Sequence, residues 1–294
     1  MSIEDTDMPS LFQNADKESI KSQKIHNIIL LLYNISLIIS ALVIILVREY
    51  TVFARIITTI LFLLSLGLIV SLRIIMPTKI WYNGRAIAES IKTRTWRWMM
   101  RAEPYGDCNN VLVVEQSFIN DLKTIIDQNQ SLIKQIGNYV DADKSNSITN
   151  KMRDIRSLNI DERLEVYKKE RIINQEKWYN NKSKINKRDA NVIFWLIIIS
   201  HAIIFLLMLL ELSMCISNPP IELFLVLAST FVSWNQTKKH NELASSYSLA
   251  THEIILMKNE TNHIETEEDL SEYVLNCENA FSREHTQWYA RKNS

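Results

Sequence analysis

The stretch Ile28-Ile-Leu-Leu-Leu-Tyr-Asn-Ile-Ser-Leu-Ile-Ile-Ser-Ala-Leu-Val-Ile-Ile-Leu46 decides the fold, since no Asp, Glu, Lys or Arg falls between Ile25 and Val47. At about 1.5 Å per residue a helix of this length crosses the roughly 30 Å of bilayer hydrocarbon. A helix satisfies its own peptide groups and is therefore the form such a run takes in lipid. It does not read as a removable leader, because mixed-charge residues precede it and a second apolar run follows at once. That second run lies between Arg55 and Arg73, and a third runs from Ala190 to Leu210. A fourth, Leu223 to Thr237, reaches only about 22 Å as a helix. It spans only with Glu222 near one headgroup layer and Lys238 near the other.

Orientation follows from the flanking cations. Lys17, Lys21 and Lys24 precede the first run; Arg73, Lys79 and Arg85 follow the second; Lys182, Lys184, Lys187 and Arg188 precede the third; Lys238 and Lys239 follow the fourth. Between Glu211 and Glu222 there is no Lys or Arg. The expectation is an all-α membrane protein of two transmembrane helical hairpins plus a cytoplasmic helical bundle, multi-pass with both termini cytoplasmic. Its divisions are a cytoplasmic segment 1–24, a first hairpin 25–76, a cytoplasmic region 77–189, a second hairpin 190–237 and C-terminal helices 238–294 that pack on 77–189.

Composition removes several classes of function. With 33 Lys and Arg against 33 Asp and Glu the chain has no net charge, so it carries no footprint for a nucleic-acid polymer. Four Gly and five Pro are too few for a many-stranded β fold, and they exclude Gly-rich phosphate loops. Three cysteines at wide spacing and six histidines with no metal-ligand spacing support neither a disulfide framework nor a metal site. Asp141-Ala-Asp143-Lys-Ser145-Asn-Ser147 begins like a calcium loop but lacks the turn Gly and the closing Glu. No nucleophile sits in an activating context, so no catalytic residue, metal or cofactor is expected.

Helical periodicity continues outside the apolar runs. Ile80, Trp81, Gly84, Ile87, Ala88, Ile91 and Thr95 repeat at three and four residues after Pro77. The helix they form is expected to end near Glu103-Pro104-Tyr105-Gly106. A second helix carries Phe118 through Ile136, and two more carry Leu243 to Met257 and Leu270 to Trp288. Their apolar stripes need one another to be buried.

Two sets of polar residues are candidate sites. Asn34, Arg55, His201, Glu211 and Glu222 lie at membrane depth or at its edge, where ionisable groups are costly. Either Asn34 and His201 line a conduction path whose outer mouth is ringed by Arg55, Glu211 and Glu222, or the first two bond across helices and the rest sit at the interface. The second set, from Trp81 to Arg101, interleaves aromatics with cations, and Arg85, Glu89 and Lys92 share one helical face. Trp96, Arg97, Trp98 and Arg101 lie too far past Pro77 for lipid contact, leaving core packing or a ligand.

That second stretch resembles the signature of the SLATT class of bacterial membrane effectors: Trp81-Tyr82, Arg85 to Thr93, Trp96-Arg97 and Ala102 to Tyr105. Ser282 to Arg291 is similar to the closing motif of that class, and the two hairpins resemble its SMODS-associated four-transmembrane branch. The resemblance implies a pore-forming effector of an anti-phage (CBASS) system. On that reading a nucleotidyltransferase makes a cyclic oligonucleotide second messenger, the effector senses it on the cytoplasmic side, and the inner membrane is disrupted in abortive infection. Independently, phosphates need cations and bases need flat rings. Arg85, Glu89, Lys92, Trp96, Arg97, Trp98, Arg101, Arg283 and Trp288 are therefore the candidate ligand residues, with the 85–101 and 283–291 helices forming one sensing unit. Four spans with few polar faces do not enclose a channel in one chain, so a homo-oligomer in the bilayer is expected. A constitutive channel or transporter and a membrane-tethered scaffold stay open as alternatives.

Overall fold

The computed structural model describes residues 2–47, 51–106, 110–129 and 147–293, with no side-chain description at 51, 262 and 283–293. Cys108, the polar loop 141–146 and the expected helix end at 132–137 lie outside these residues. Among the described residues there is no strand. The helices are α1 (Ser10–Leu46), α2 (Thr51–Ile75), α3 (Pro77–Met99), α4 (Val111–Gln128), α5 (Asn150–Ser157), α6 (Ile160–Tyr167), α7 (Asn174–Leu212), α8 (Ile221–Lys238), α9 (His240–Glu260) and α10 (Glu267–Asn293). A π-helical stretch, Lys168–Ile173, joins α6 to α7.

The chain forms two compact units. A polar unit comprises Met1–Gln23, Thr78–Tyr179 and Leu249–Ser294, and an apolar unit comprises Lys24–Pro77 and Asn180–Ser248. Residues 1–23 fold within the polar unit, and residues 180–189 and 240–248 fold with the apolar hairpins.

Among the described residues three helices are long and apolar enough to cross a membrane: α1, the α2–α3 run and the α6–α7 run. Only 17%, 6% and 11% of their apolar windows are buried within the chain. Surfaces this apolar and this exposed require lipid as their solvent. The 18-residue α8, with Glu222 and Lys238 near its ends, is not among the three. Hydroxyls inside these helices turn back on their own backbone: Ser36 donates to the Tyr33 carbonyl at 2.7 Å, Ser65 to Phe62 at 2.8 Å and Ser200 to Leu196 at 2.7 Å. A polar side chain so satisfied is tolerated in hydrocarbon.

One kind of break occurs in both halves of the chain. α2 is followed by Met76 and α8 by Lys239, both left-handed, with φ of 48° and 52°. Pro77 has no N–H to extend a helix, which explains the first break, and each left-handed residue bonds its N–H back into the helix before it, to Leu72 and to Asn235. Five residues past each break a carbonyl receives a serine hydroxyl from the long helix beside it. Ser19 donates to Trp81 at 3.1 Å in the polar unit, and Ser183 donates to Ala244 at 2.8 Å in the apolar unit. At the first crossing the backbones come so close that a Cβ on Gly84 would lie 3.1 Å from the Ala15 carbonyl oxygen.

The polar unit buries the stripes that periodicity predicts: Ile87, Ala88 and Ile91 on α3; Val114, Phe118, Leu122 and Ile125 on α4; Leu270, Val274, Cys277 and Phe281 on α10. Their packing removes apolar area from water at about 25 cal/mol per Å². Three arginines are buried among them. Arg156 donates to the carbonyls of Trp98 and Tyr105, and Arg163 donates to that of Met100 and pairs with Glu267. These carbonyls close α3, at the end where a helix leaves acceptors unmatched and favours cations.

Candidate functional site

A cavity of about 320 Å³ opens in the polar unit. Its walls come from the N-terminal arm (Glu4, Asp5, Met8), from α1 (Phe12, Asp16), from α3 (Arg85, Glu89, Lys92, Trp96) and from the π-helical stretch and the start of α7 (Glu170, Arg171, Trp178). Spacings of three and four put Arg85, Glu89, Lys92 and Trp96 on one face of α3. The π-helix is a wide turn of the kind found at functional positions, and it carries Arg171.

Around the rim the cations keep part of their surface exposed. Arg85 meets Glu89 at 3.1 Å with its side chain 28% exposed, and its guanidinium lies 5.5 Å from the Trp178 ring centre. Lys92 reaches Asp5 at 3.4 Å and sits 5.3 Å over the Phe12 ring. The buried end is held firmly. Arg171 and Glu278, 1% and 0% exposed, share two hydrogen bonds of 2.8 and 2.9 Å, and the Tyr167 hydroxyl donates to the same carboxylate at 3.0 Å. Two donors in this wall have no hydrogen-bond partner among the described residues, Trp96 Nε1 and Arg171 Nη1.

Burial raises the Asp16 carboxyl above its ordinary pKa of 3.8, with Arg85 opposing and Asp5 and Glu89 adding to the rise. A carboxyl whose folded pKa is raised contributes stability that is complete below 3.8 and is lost as pH rises through the elevated value. Asp16→Asn is therefore expected to raise the melting temperature at about pH 8, and the gain should shrink as pH falls toward about pH 4. A gain that is constant across that range, or no gain, would contradict the assignment.

Of the residues expected to bind ligand, the structure brings Arg85, Glu89, Lys92 and Trp96 to this cavity. Arg97, Trp98 and Arg101 do not line it. Arg97 donates to the Glu103 carbonyl at 2.6 Å, and Arg101 donates to the Arg156 carbonyl at 3.0 Å. Trp98 is fully buried, 5.8 Å from Phe118 and beneath the Arg156 guanidinium at 5.1 Å. The α3 helix stops at Met99, a few residues before the expected end, just ahead of the left-handed Arg101 (φ 56°). Arg283 and Trp288 lie on α10, where side chains fall outside the described ones. Arg171 and Trp178 were invisible to periodicity, since the π turn shifts the phase of the helix that holds them.

The apolar unit holds a groove of about 670 Å³ along α1 and α8, lined by Asn34 and Ser40 and by Glu222, Ser229, Thr230 and Ser233. Asn34 donates to the Leu30 carbonyl of its own helix at 2.9 Å. The His201 side chain is exposed on α7 in the single chain, with Nδ1 2.8 Å from the Ile197 carbonyl oxygen of the same helix. Arg55, Glu211 and Glu222 are exposed, and among the described residues none of them forms an ion pair with another.

Family comparison matches two successive parts of the chain. The family described as SMODS and SLOG-associating 2TM effector domain 3 matches residues 9–164, and that described as SMODS and SLOG-associating 2TM effector domain 1 matches residues 167–288. No curated protein and no solved structure matches the chain significantly.

Proposed function

Because the chain belongs to the SMODS and SLOG-associating 2TM effector family, carrying two of its domains in tandem, we propose that it is a cytoplasmically triggered effector that permeabilises the bacterial inner membrane. The family places it among defence effectors of the membrane. The trigger in this reading is a cyclic oligonucleotide made by a nucleotidyltransferase. The observation that carries it is the polar-unit cavity, whose lining brings partly exposed cations and indole rings together. That is the chemistry that phosphates and bases need.

The apolar unit supplies the effector end. Its α1–α8 groove places an amide, hydroxyls and Glu222 along helices that are otherwise apolar. A single chain does not enclose a channel with so few polar positions, so homo-oligomers are the conducting form in this reading. The cation flanks support a cytoplasmic polar unit and cytoplasmic termini in this reading.

Reconstitution tests this directly. Vesicles loaded with a self-quenched dye should release it when a cyclic dinucleotide is added on the side that the polar unit faces, and not when it is confined to the other side. Arg85→Ala should demand roughly ten- to hundredfold more nucleotide, the worth of one charge-assisted contact. Release without nucleotide would make the protein a constitutive channel. No release under any cyclic nucleotide would make it a tethered scaffold.

A further inference from the structure

The outward face of α2 carries a charge and a glycine that nothing in its own chain uses. Ala54 and Ser65, 7% and 4% exposed, mark the side of α2 that packs internally. At about 100° per residue, Arg55, Thr59, Leu63 and Gly67 fall together on the far side, and all four are exposed. A Cβ on Gly67 would meet nothing within 4 Å, so the packing of the single chain does not ask for glycine there, although glycine weakens a helix. In a membrane, a small residue on a helix surface lets a second helix come close. The α1–α8 groove, about 670 Å³, is the complementary surface. Lys238 at the end of α8 donates to Asn27 of α1, so these helices run antiparallel and Glu222 lies toward the end where α1 turns back into α2. Glu222, Leu225, Ser229 and Ser233 recur at three and four residues along the α8 wall. The Ser229 and Ser233 hydroxyls donate to no described residue, whereas Ser36, Ser65 and Ser200 turn back on their own backbone. In hydrocarbon such hydroxyls need acceptors brought from another helix.

We propose that the groove receives α2 of a second copy of this chain, packed parallel to α8, with Arg55 of one copy paired to Glu222 of the other. Both charges are exposed, and neither has an ion-pair partner among the described residues. Each sits in the first turns of its helix, Arg55 in α2 and Glu222 in α8. Because α2 and α8 both run antiparallel to α1, the two charges lie at the same edge of the bilayer. Ionisable groups at such depth are held by pairing with one another. The spacing beyond them also matches. At about 1.5 Å per residue, Leu63 lies about 12 Å past Arg55 and Ser229 about 10 Å past Glu222, while Gly67 and Ser233 lie about 18 and about 16 Å on. The glycine thus comes opposite the Ser233 hydroxyl, where it leaves the α2 backbone open to that donor. The proposal rests on the homo-oligomer of the preceding reading, and it adds the two surfaces through which copies meet.

The test follows assembly of the purified full chain in detergent by light scattering. Arg55→Glu and Glu222→Arg should each raise the concentration for half-assembly roughly tenfold or more. The double variant carrying both changes swaps the charges and should assemble like the parent. Gly67→Leu should weaken assembly comparably at an unchanged melting temperature, since the added side chain meets nothing within one chain. Contact is read by copper-catalysed oxidation of two differently tagged chains, one with Leu63→Cys and the other with Ser229→Cys. They should form a mixed disulfide dimer above the parent's background, whereas Leu64→Cys, one residue around the helix, should not. Parent-like assembly of both charge-reversed variants, failure of the swap to restore it, or equal cross-linking from Leu64→Cys would overturn the interface. An oligomer that survives every one of these changes keeps the assembly and removes this contact. A parent that stays monomeric at every concentration removes the homo-oligomer and the contact with it. A monomer that holds a phospholipid in native mass spectrometry, lost in Glu222→Arg, gives the groove to a lipid and overturns the proposal.

Discussion

Glu278→Ala is expected to cost about 3–5 kcal/mol of stability, because it strips the partner from a guanidinium that is almost fully buried. Arg171 is 1% exposed and Glu278 is 0% exposed. Removing the carboxylate leaves Arg171 with the Phe281 ring at 4.8 Å as its nearest compensation, and it also unpairs the Tyr167 hydroxyl. A domain is stable by only about 5–15 kcal/mol, so the variant should melt far below the parent or fail to accumulate. Replacing both residues together, as Arg171→Met with Glu278→Leu, should recover most of the loss, since apolar side chains of similar volume need no partner. Thermal unfolding in detergent checks both. A parent-like melting temperature for Glu278→Ala would mean that the pair is solvated.

The second large effect is expected at Trp98, where Trp98→Ala should cost about 3–5 kcal/mol through the cavity left against Phe118 and the lost contact with Arg156. Trp98→Phe should cost much less, because the indole N–H it gives up has no hydrogen-bond partner among the described residues. Nucleotide affinity per folded molecule should be unchanged in either variant, since Trp98 is absent from the cavity wall. Equilibrium unfolding followed by titration of the folded fraction reads the two quantities separately. An affinity loss at full stability would return Trp98 to the ligand.

The contrast between Trp96 and Trp98 shows where a one-dimensional reading stops. Both belong to the same aromatic and cationic stretch, with the same composition around them. Two residues along a helix is about 200° of rotation, so they face opposite sides. Trp96 turns toward α1 and the π-helical stretch, while Trp98 turns toward α4. The second half of that stretch, through Tyr105, closes α3 by giving its carbonyls to Arg156 and Arg163. It is structural where the first half lines the cavity.

Local and periodic features could be read from the chain alone. The apolar runs, the amphipathic stripes of α3, α4 and α10 and the family signature are properties of neighbouring residues, and helical geometry translates them directly into lipid-facing or buried surface. The face shared by Arg85, Glu89 and Lys92 was visible in the same way. Tertiary structure alone decided which elements complete the cavity. Arg171 lies on a π turn whose phase no 3.6-residue period predicts, and its partner Glu278 is over a hundred residues away. The same holds for His201, an ionisable group in an apolar run: spacing says how deep it sits, but which side of α7 faces neighbouring helices is set by how those helices pack. Pairing across distance depends on the packing of whole helices against one another, and that information is spread over the chain rather than written at any one position.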